Sequence, residues 1–304
     1  MWRCVAKWGP YFQAVETARE EKTNALPVRG AAPETQVAEP VRLGAAMDGA
    51  MVHVRQEGWK ELKVGCVFQI APQTMTDPIT QESVEQGHAT QLTYVAHLGG
   101  PERLGRLLWS EAYTRGWAQT PDTQVIGDGA PWIWNLTAEF LAPRHQTVDW
   151  YHATQHLHQA AQRLYPTRPA QCVRWYNATE TLLFQGHADT VATMLTKRAT
   201  HLPDHADELL TQAAYFEHNQ RRMQYLELRE EGYLIGSGMI ESAAKQFKAR
   251  LAGPGMRWSR NGLAHLLPIR AAVLGHSFDD LWPTVYAFSK NSLPDRFLRR
   301  RRLC

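Results

Sequence analysis

Thr123-Gln124-Val125-Ile126-Gly127-Asp128-Gly129 reads as a short buried strand that stops on an acid held between two glycines. The apolar run is too short for a helix, and the Gly-Asp-Gly that follows breaks any periodicity. Ahead of it, Leu104, Leu107, Leu108 and Ala112 recur at helical spacing within residues 101–117. Behind it, 132–140 reads as a short helix and 146–148 as a further strand ending at Asp149. Three more strand-type segments lie upstream: 41–55, interrupted by Asp48-Gly49, then 59–70 and 91–97, with a hairpin expected around Gly58.

Three antiparallel strands followed by alternating helix and strand make an α/β chain with the RNase H-like order. That order predicts a mixed sheet in which the first and fourth strands are neighbours, so Asp48 and Asp128 end side by side. From Tyr151 to Tyr233 no strand pattern appears, and Leu, Ala, His and aromatic residues recur at helical spacing. This stretch reads as an all-helical insertion before the last catalytic helix. The helix that follows opens at Gly236-Ser237-Gly238, with Ser237 as its N-cap and Glu241 near its start; further helices are expected over 261–274 and 278–289. The expected organisation is a helix and linker remnant over 1–40, with the helix at 2–21 and the linker at 25–40. A core first part spans 41–150, the insertion 151–233, and the core's last part with C-terminal helices 234–292. A basic tail, 293–304, carries Arg299 to Arg302.

The 304 residues suffice for one large domain with an insertion or for two domains. With 44% hydrophobic and 21% charged residues the composition is that of an ordinary globular protein. No apolar run is long enough to cross a bilayer and no signal core opens the chain, so a cytoplasmic, nucleoid-associated protein without a membrane partner is expected. Cys4, Cys66, Cys172 and Cys304 are too scattered for a zinc knuckle or a disulfide framework. The net charge of +3 says little, but residues 243–260 hold Lys245, Lys248, Arg250, Arg257 and Arg260 with no acid among them. Such a cluster can neutralise phosphates, and it also fits a solvated basic face.

Transfer of DNA phosphodiesters uses two divalent cations, and hard Mg²⁺ prefers carboxylate oxygens, so at least three convergent acids are needed. Asp48 and Asp128 stand where strand residues should continue, which is costly unless they pair or bind metal. Each alone also reads as a turn aspartate in an Asp-Gly turn. Val148-Asp149-Trp150-Tyr151-His152 places a histidine just after the last strand, where it can donate to a phosphate or orient a water; a capping Asp149 with a half-exposed His152 is the plainer reading. His156 and His158 lack a partner cluster for zinc. On the Glu241 helix, Lys245 and Lys248 follow one and two turns on, sharing its face. No hydrolase elbow and no Walker pattern is present.

Three segments in series resemble the catalytic segments of Kra-type insertion-sequence transposases. They are Met47-Asp48-Gly49-Ala50-Met51-Val52 with Trp59 to Gly65, Val125 to Trp134, and Ile235 to Ala243 continuing to Gly255-Met256-Arg257-Trp258-Ser259. The resemblance runs in order over 41–274. It implies a DDE transposase: metal-dependent strand cleavage and transfer at insertion-sequence ends, with Asp48, Asp128 and Glu241 as catalytic metal ligands for two Mg²⁺ or Mn²⁺ ions. Asp149-x-x-His152 resembles the Asp-x-x-His pattern of Mutator-like transposases, which implies a catalytic-site role for His152. A basic residue at the Lys248 offset resembles another transposase lineage, although its preceding arginine is replaced here by Ser237. Lys245, Lys248, Arg250 and Arg257 are the expected DNA contacts, and the partners implied are element ends, target DNA and further copies of this chain. Such transposases carry a sizeable end-recognition region before the core, whereas only residues 1–40 precede it here, so the chain reads as N-terminally truncated. An RNase H-like nuclease or resolvase, or an idle DNA-binding remnant, are the alternatives.

Overall fold

The computed structural model describes residues 2–25, 41–76 and 83–291. Most of the expected linker and the expected basic tail lie outside these residues. Eleven α-helices and one sheet are built from them. In chain order, α1 (Trp2–Asn24) precedes β1 (Leu43–Val54), β2 (Gly58–Thr76) and β3 (Ser83–Leu98). Next come α2 (Pro101–Thr114), β4 (Thr123–Gly127), α3 (Pro131–Leu136) and β5 (His145–Val148). The helical run is α4 (Trp150–Leu164), α5 (Pro169–Phe184), α6 (Ala188–Ala199), α7 (Ala206–Asn219) and α8 (Tyr225–Glu230). The chain continues as α9 (Gly238–Leu251), α10 (Arg260–Leu274) and α11 (Phe278–Asn291).

The five strands lie in the order β3-β2-β1-β4-β5. The pairs β1/β2 and β2/β3 are antiparallel, while β1/β4 and β4/β5 are parallel. The mixed α/β sheet therefore has its antiparallel strands on one side and its parallel ones on the other. Parallel neighbours need crossover connections, and α2 and α3 supply them. The β1–β2 hairpin turns where Gln56 and Gly58 adopt positive φ, 65° and 75°. At Gly58 the absent Cβ removes the steric cost of that region, and the turn falls at the expected place.

Strand alternation sorts the side chains onto two faces. Leu43, Ala45, Met47, Val67, Val125 and Val148 pack with Leu104 and Leu108 of α2, Ile133 of α3 and Leu157 of α4. Ala46, Val52, Val64, Phe68 and Ile126 face the opposite way and pack with Ile240, Ala243, Phe247 and Leu251 of α9 and Leu263 and Leu267 of α10. Both faces of the sheet are thus covered by helices, as parallel strands require.

Several expectations are corrected. Asp48-Gly49 does not interrupt the first strand: Asp48 pairs with Val64 and Gly49 with Lys63 within a continuous β1. The β2–β3 ribbon runs far beyond 70 and 91, with pairing that reaches Thr76 and Ser83. Its polar outer half has no apolar alternation to mark it, and backbone pairing holds it instead. The first helix packs on α2 and α11. Glu20 of α1 bonds Arg106 and Arg103 of α2 at 2.6 and 3.4 Å, and Phe12 and Trp8 meet Phe278 and Trp282 of α11 at ring distances of 5.4 and 4.7 Å. Ser237 is the N-cap residue of α9 by position, but its side chain makes no capping bond.

Candidate functional site

The position of three acids follows from the register. Ala46 pairs with Ile126, and Ile126 pairs with Thr147, so these three residues form one row across β1, β4 and β5. Ala46 and Ile126 face α9. Two residues further along each strand the same face returns, and the residues there are Asp48, Asp128 and Asp149. Neighbouring strands lie about 4.8 Å apart, so three carboxylates stand in one row where the parallel strands end. On this side of the sheet α9 packs through Ile240, Ala243 and Phe247, and this seats Glu241, in its first turn, over the row.

The electrostatics agree with the convergence. Burial is the main cause that raises the Asp48 carboxyl above its ordinary range, and the charges of Asp128 and Glu241 add to it, against a bond from the Gly49 N–H and the charge of His152. Among the described residues, no Lys or Arg forms an ion pair with Asp48 or Asp128. Each is held by the backbone: Gly49 N–H donates to Asp48 Oδ1 at 2.6 Å, and Ala130 N–H to Asp128 Oδ1 at 2.8 Å. Glu241 is 3.6 Å from Lys245, whose side chain is 79% exposed, so the pair contributes little in water.

Asp149 has a different task from its two neighbours. It is fully buried, with 0% of its side chain exposed, and both its oxygens are engaged. Oδ1 accepts from His152 N–H at 2.8 Å and contacts His152 Nδ1 at 3.2 Å, while Oδ2 accepts from Ser237 N–H. One carboxylate therefore caps α4, fixes the His152 ring and ties down the start of α9. Burial pushes its carboxyl up, but the bonds from His152 and Ser237 outweigh that and hold it below its ordinary value. In turn the bond to Asp149 raises His152; burial opposes this, and the charges of Asp149, Asp128 and Glu241 support it. With Nδ1 committed to Asp149, the Nε2 side of the ring is the one left to act. The capping reading of Asp149 is met by this contact, and the same carboxylate holds the His152 ring.

Ligand atoms of Asp149, His152 and Glu241 lie within 4.8 Å of one another. This grouping differs from the expected trio of Asp48, Asp128 and Glu241. Since the Asp149 oxygens already accept three bonds, it serves better as the clamp that presents His152 and Glu241 than as a free ligand. No sequence motif pointed to this role, because Asp149 and Ser237 are far apart in the chain.

The helical run adds one more contact. Tyr215 of α7 donates through its hydroxyl to the Asp128 carbonyl at 3.1 Å and stacks on His156 at 3.6 Å. Gly129 has φ +97°, and a Cβ there would lie 2.8 Å from the Tyr215 ring, so the glycine is needed on both counts. His156 also bonds Gln212, and His158 meets Gln162, so neither joins the acids. Trp134 is buried beneath Arg222 and the half-buried Trp132 lies beneath Lys63, positions that packing explains.

The expected basic contacts separate into two sets. Lys245 and Lys248 flank Glu241 on α9. Arg250 lies about two and a half turns on from Glu241, on the other side of the helix, and lines a pocket with Arg257. No described helix is long and apolar enough to cross a membrane. A comparison with curated proteins finds no match. A family model described as "Uncharacterised protein family (UPF0236)" matches residues 109–278, a span that includes Asp128, Asp149, His152 and Glu241 but not Asp48. That span is more than half of the chain, which therefore belongs to the uncharacterised protein family UPF0236.

Proposed function

We propose that this chain is a metal-dependent phosphoryl-transfer enzyme with an RNase H-like core, acting as a DDE-type transposase on DNA strands. The observation that carries this reading is the same-face row of Asp48 and Asp128 on neighbouring strands beneath Glu241 of α9. The strand order, three antiparallel then two parallel, supports the core assignment.

The donor set suits hard divalent cations: crowded carboxylates that form no Lys or Arg ion pair at Asp48 or Asp128 among the described residues are costly alone and are relieved by positive charge. Asp48, Asp128 and Glu241 would hold Mg²⁺ or Mn²⁺, two ions, which when bound supply charge neutralisation at the phosphate and a nucleophile at neutral pH. His152, oriented by Asp149, presents its Nε2 side to the same space as a donor to a phosphate oxygen. Lys245 and Lys248 lie on the flank where a DNA backbone would approach Glu241, as point charges for phosphate. Tyr215 fixes the backbone at Asp128, so the helical run stiffens the strand end that carries the acid.

The test is nicking and joining of a labelled duplex in Mg²⁺ or Mn²⁺. Asp48→Asn, Asp128→Asn and Glu241→Gln each abolish nicking while circular dichroism stays unchanged. Full activity in any of the three overturns the assignment. Cleavage without joining identifies a nuclease or resolvase, and binding without cleavage an idle DNA-binding remnant.

A further inference from the structure

A pocket of about 220 Å³ lies along β3, the outer strand of the sheet, where α2 from one face and α10 from the other meet α1 and α11. Drug-sized ligands occupy roughly 300–1,000 Å³, so an occupant of this pocket is smaller. Much of the wall is apolar, with Phe12 of α1, Val95 of β3, Leu107 of α2 and Val285 of α11. The same wall carries three acids, Glu16, Glu111 and Asp280, against one cation, Arg19. The acids come from α1, α2 and α11, so no run of sequence announces them.

Two polar groups on this wall are left unanswered. Arg19 is committed to Glu111 at 3.0 Å and to Thr114 at 2.8 Å. Arg103, whose charge also reaches Glu16, is engaged by Glu20 at 3.4 Å and Thr17 at 3.3 Å. Glu16 itself is half-buried and forms no ion pair among the described residues. Burial raises its carboxyl to about 7, against the charges of Arg103 and Arg19 and with that of Glu20. The second group is independent of the acids. Ser110 of α2 is 3% exposed, and its Oγ has no hydrogen-bond partner, although a helical serine can bond the carbonyl one turn back. A buried hydroxyl left unpaired is costly until something in the pocket answers it.

We propose that this pocket binds a small organic amine, its ammonium held by Glu16 and the Ser110 hydroxyl and its apolar body by Phe12, Leu107 and Val285. An ammonium has three donors and no acceptor, which suits a carboxylate and a hydroxyl lone pair together. A bare metal ion would leave the apolar wall unused and needs more oxygen ligands than these. An anion would face three acids and an arginine that is already paired. A neutral apolar molecule would leave Glu16 and Ser110 as they are. Asp280, exposed at the rim, adds negative charge where the amine enters. The proposal does not depend on the acid row, whose nearest strand, β1, lies two strands from β3.

The experiment titrates the full chain by calorimetry with phenethylamine, with 2-phenylethanol as its uncharged counterpart and with phenylacetate as the anion. It is run at fixed ionic strength and at pH 8, above the range in which Glu16 takes up its proton. Wild type is expected to bind the amine about tenfold more tightly than the alcohol, since a charge-assisted bond is lost in the latter. Phenylacetate is expected not to bind. Glu16→Gln is expected to lose about tenfold for the amine and nothing for the alcohol, and Ser110→Ala about threefold for the amine. Equal affinity for amine and alcohol in wild type, or no saturable binding of the amine, overturns the proposal. So does wild-type affinity for the amine in Glu16→Gln, which would place the amine elsewhere on the chain. The comparison of amine with alcohol needs no variant, so a folding defect cannot imitate it.

Discussion

Two groups of sheltered carboxylates in this molecule are treated in opposite ways. Between α1 and α2, Glu20 is buried and answered twice, by Arg106 at 2.6 Å and Arg103 at 3.4 Å, while Arg19 meets Glu111 at 3.0 Å. Within β1 and just past β4, Asp48 and Asp128 lie near Glu241 with backbone N–H donors and, among the described residues, no arginine ion pair. A buried acid that only holds a fold together comes with its cation, because an unpaired buried charge is expensive. Acids gathered without one are where the proposed divalent cations would act.

The largest effect that can break this contrast is on nicking. Asp48→Asn or Glu241→Gln lowers the divalent-dependent rate about a thousandfold or more, whereas Glu20→Gln, measured in the same gel assay, leaves the rate per folded molecule unchanged. Equal losses in both groups would erase the distinction.

Asp149 is predicted to behave as a structural acid within the row. Asp149→Ala strips the acceptor from the His152 and Ser237 N–H groups, both lost in the interior, and costs about 3 kcal/mol in urea unfolding. A loss well under 1 kcal/mol would mean that α4 and α9 do not depend on this clamp.

Glu16 sharpens the comparison from the other side. It is half-buried, and burial, with Glu20 adding to it against Arg103 and Arg19, raises its carboxyl to about 7. A carboxyl raised on folding favours the protonated form, so its contribution is full below the unfolded value near 4.5 and is lost as pH rises through about 7. Glu16→Gln should flatten the fall in stability between those values and stabilise the protein at pH 8 by about 1–2 kcal/mol, partial exposure discounted. Urea midpoints across the pH range provide the measurement; an unchanged slope would refute it.

The smallest effect has the most telling sign. Without divalent cations, Asp48→Asn relieves a like-charge contact across neighbouring strands and raises the urea midpoint, by ~0.2–1 kcal/mol. Destabilisation instead would mean that the Asp48 carboxylate already has a partner in the cation-free protein.

Much of the strand order was legible because apolar runs and Gly punctuation follow directly from backbone sterics. Asp48 was harder. Asp-Gly is a strong turn signal, yet cross-strand pairing with Val64 and Lys63 carries β1 straight through it. Asp149 read as a cap, and so it is, but its bond to Ser237 reaches across 88 positions and leaves no local trace. Arg250 and Arg257 stood in a basic run beside Lys245 and Lys248, and the helical turn sends Arg250 to the opposite flank of α9 from Glu241.

Local chemistry along the chain was enough to locate the strands and the helix that bears Glu241, since strand alternation and helical spacing are properties of short segments. Which acids share one face and which one is tied into the fold was decided by register and packing. The row of Asp48, Asp128 and Asp149 exists because Ala46, Ile126 and Thr147 align across three strands. Arg55 and Arg270 line one pocket because the hairpin and α10 fold against the same end of α9. Contacts between distant segments depend on how the layers close over one another, and no window of residues carries that information.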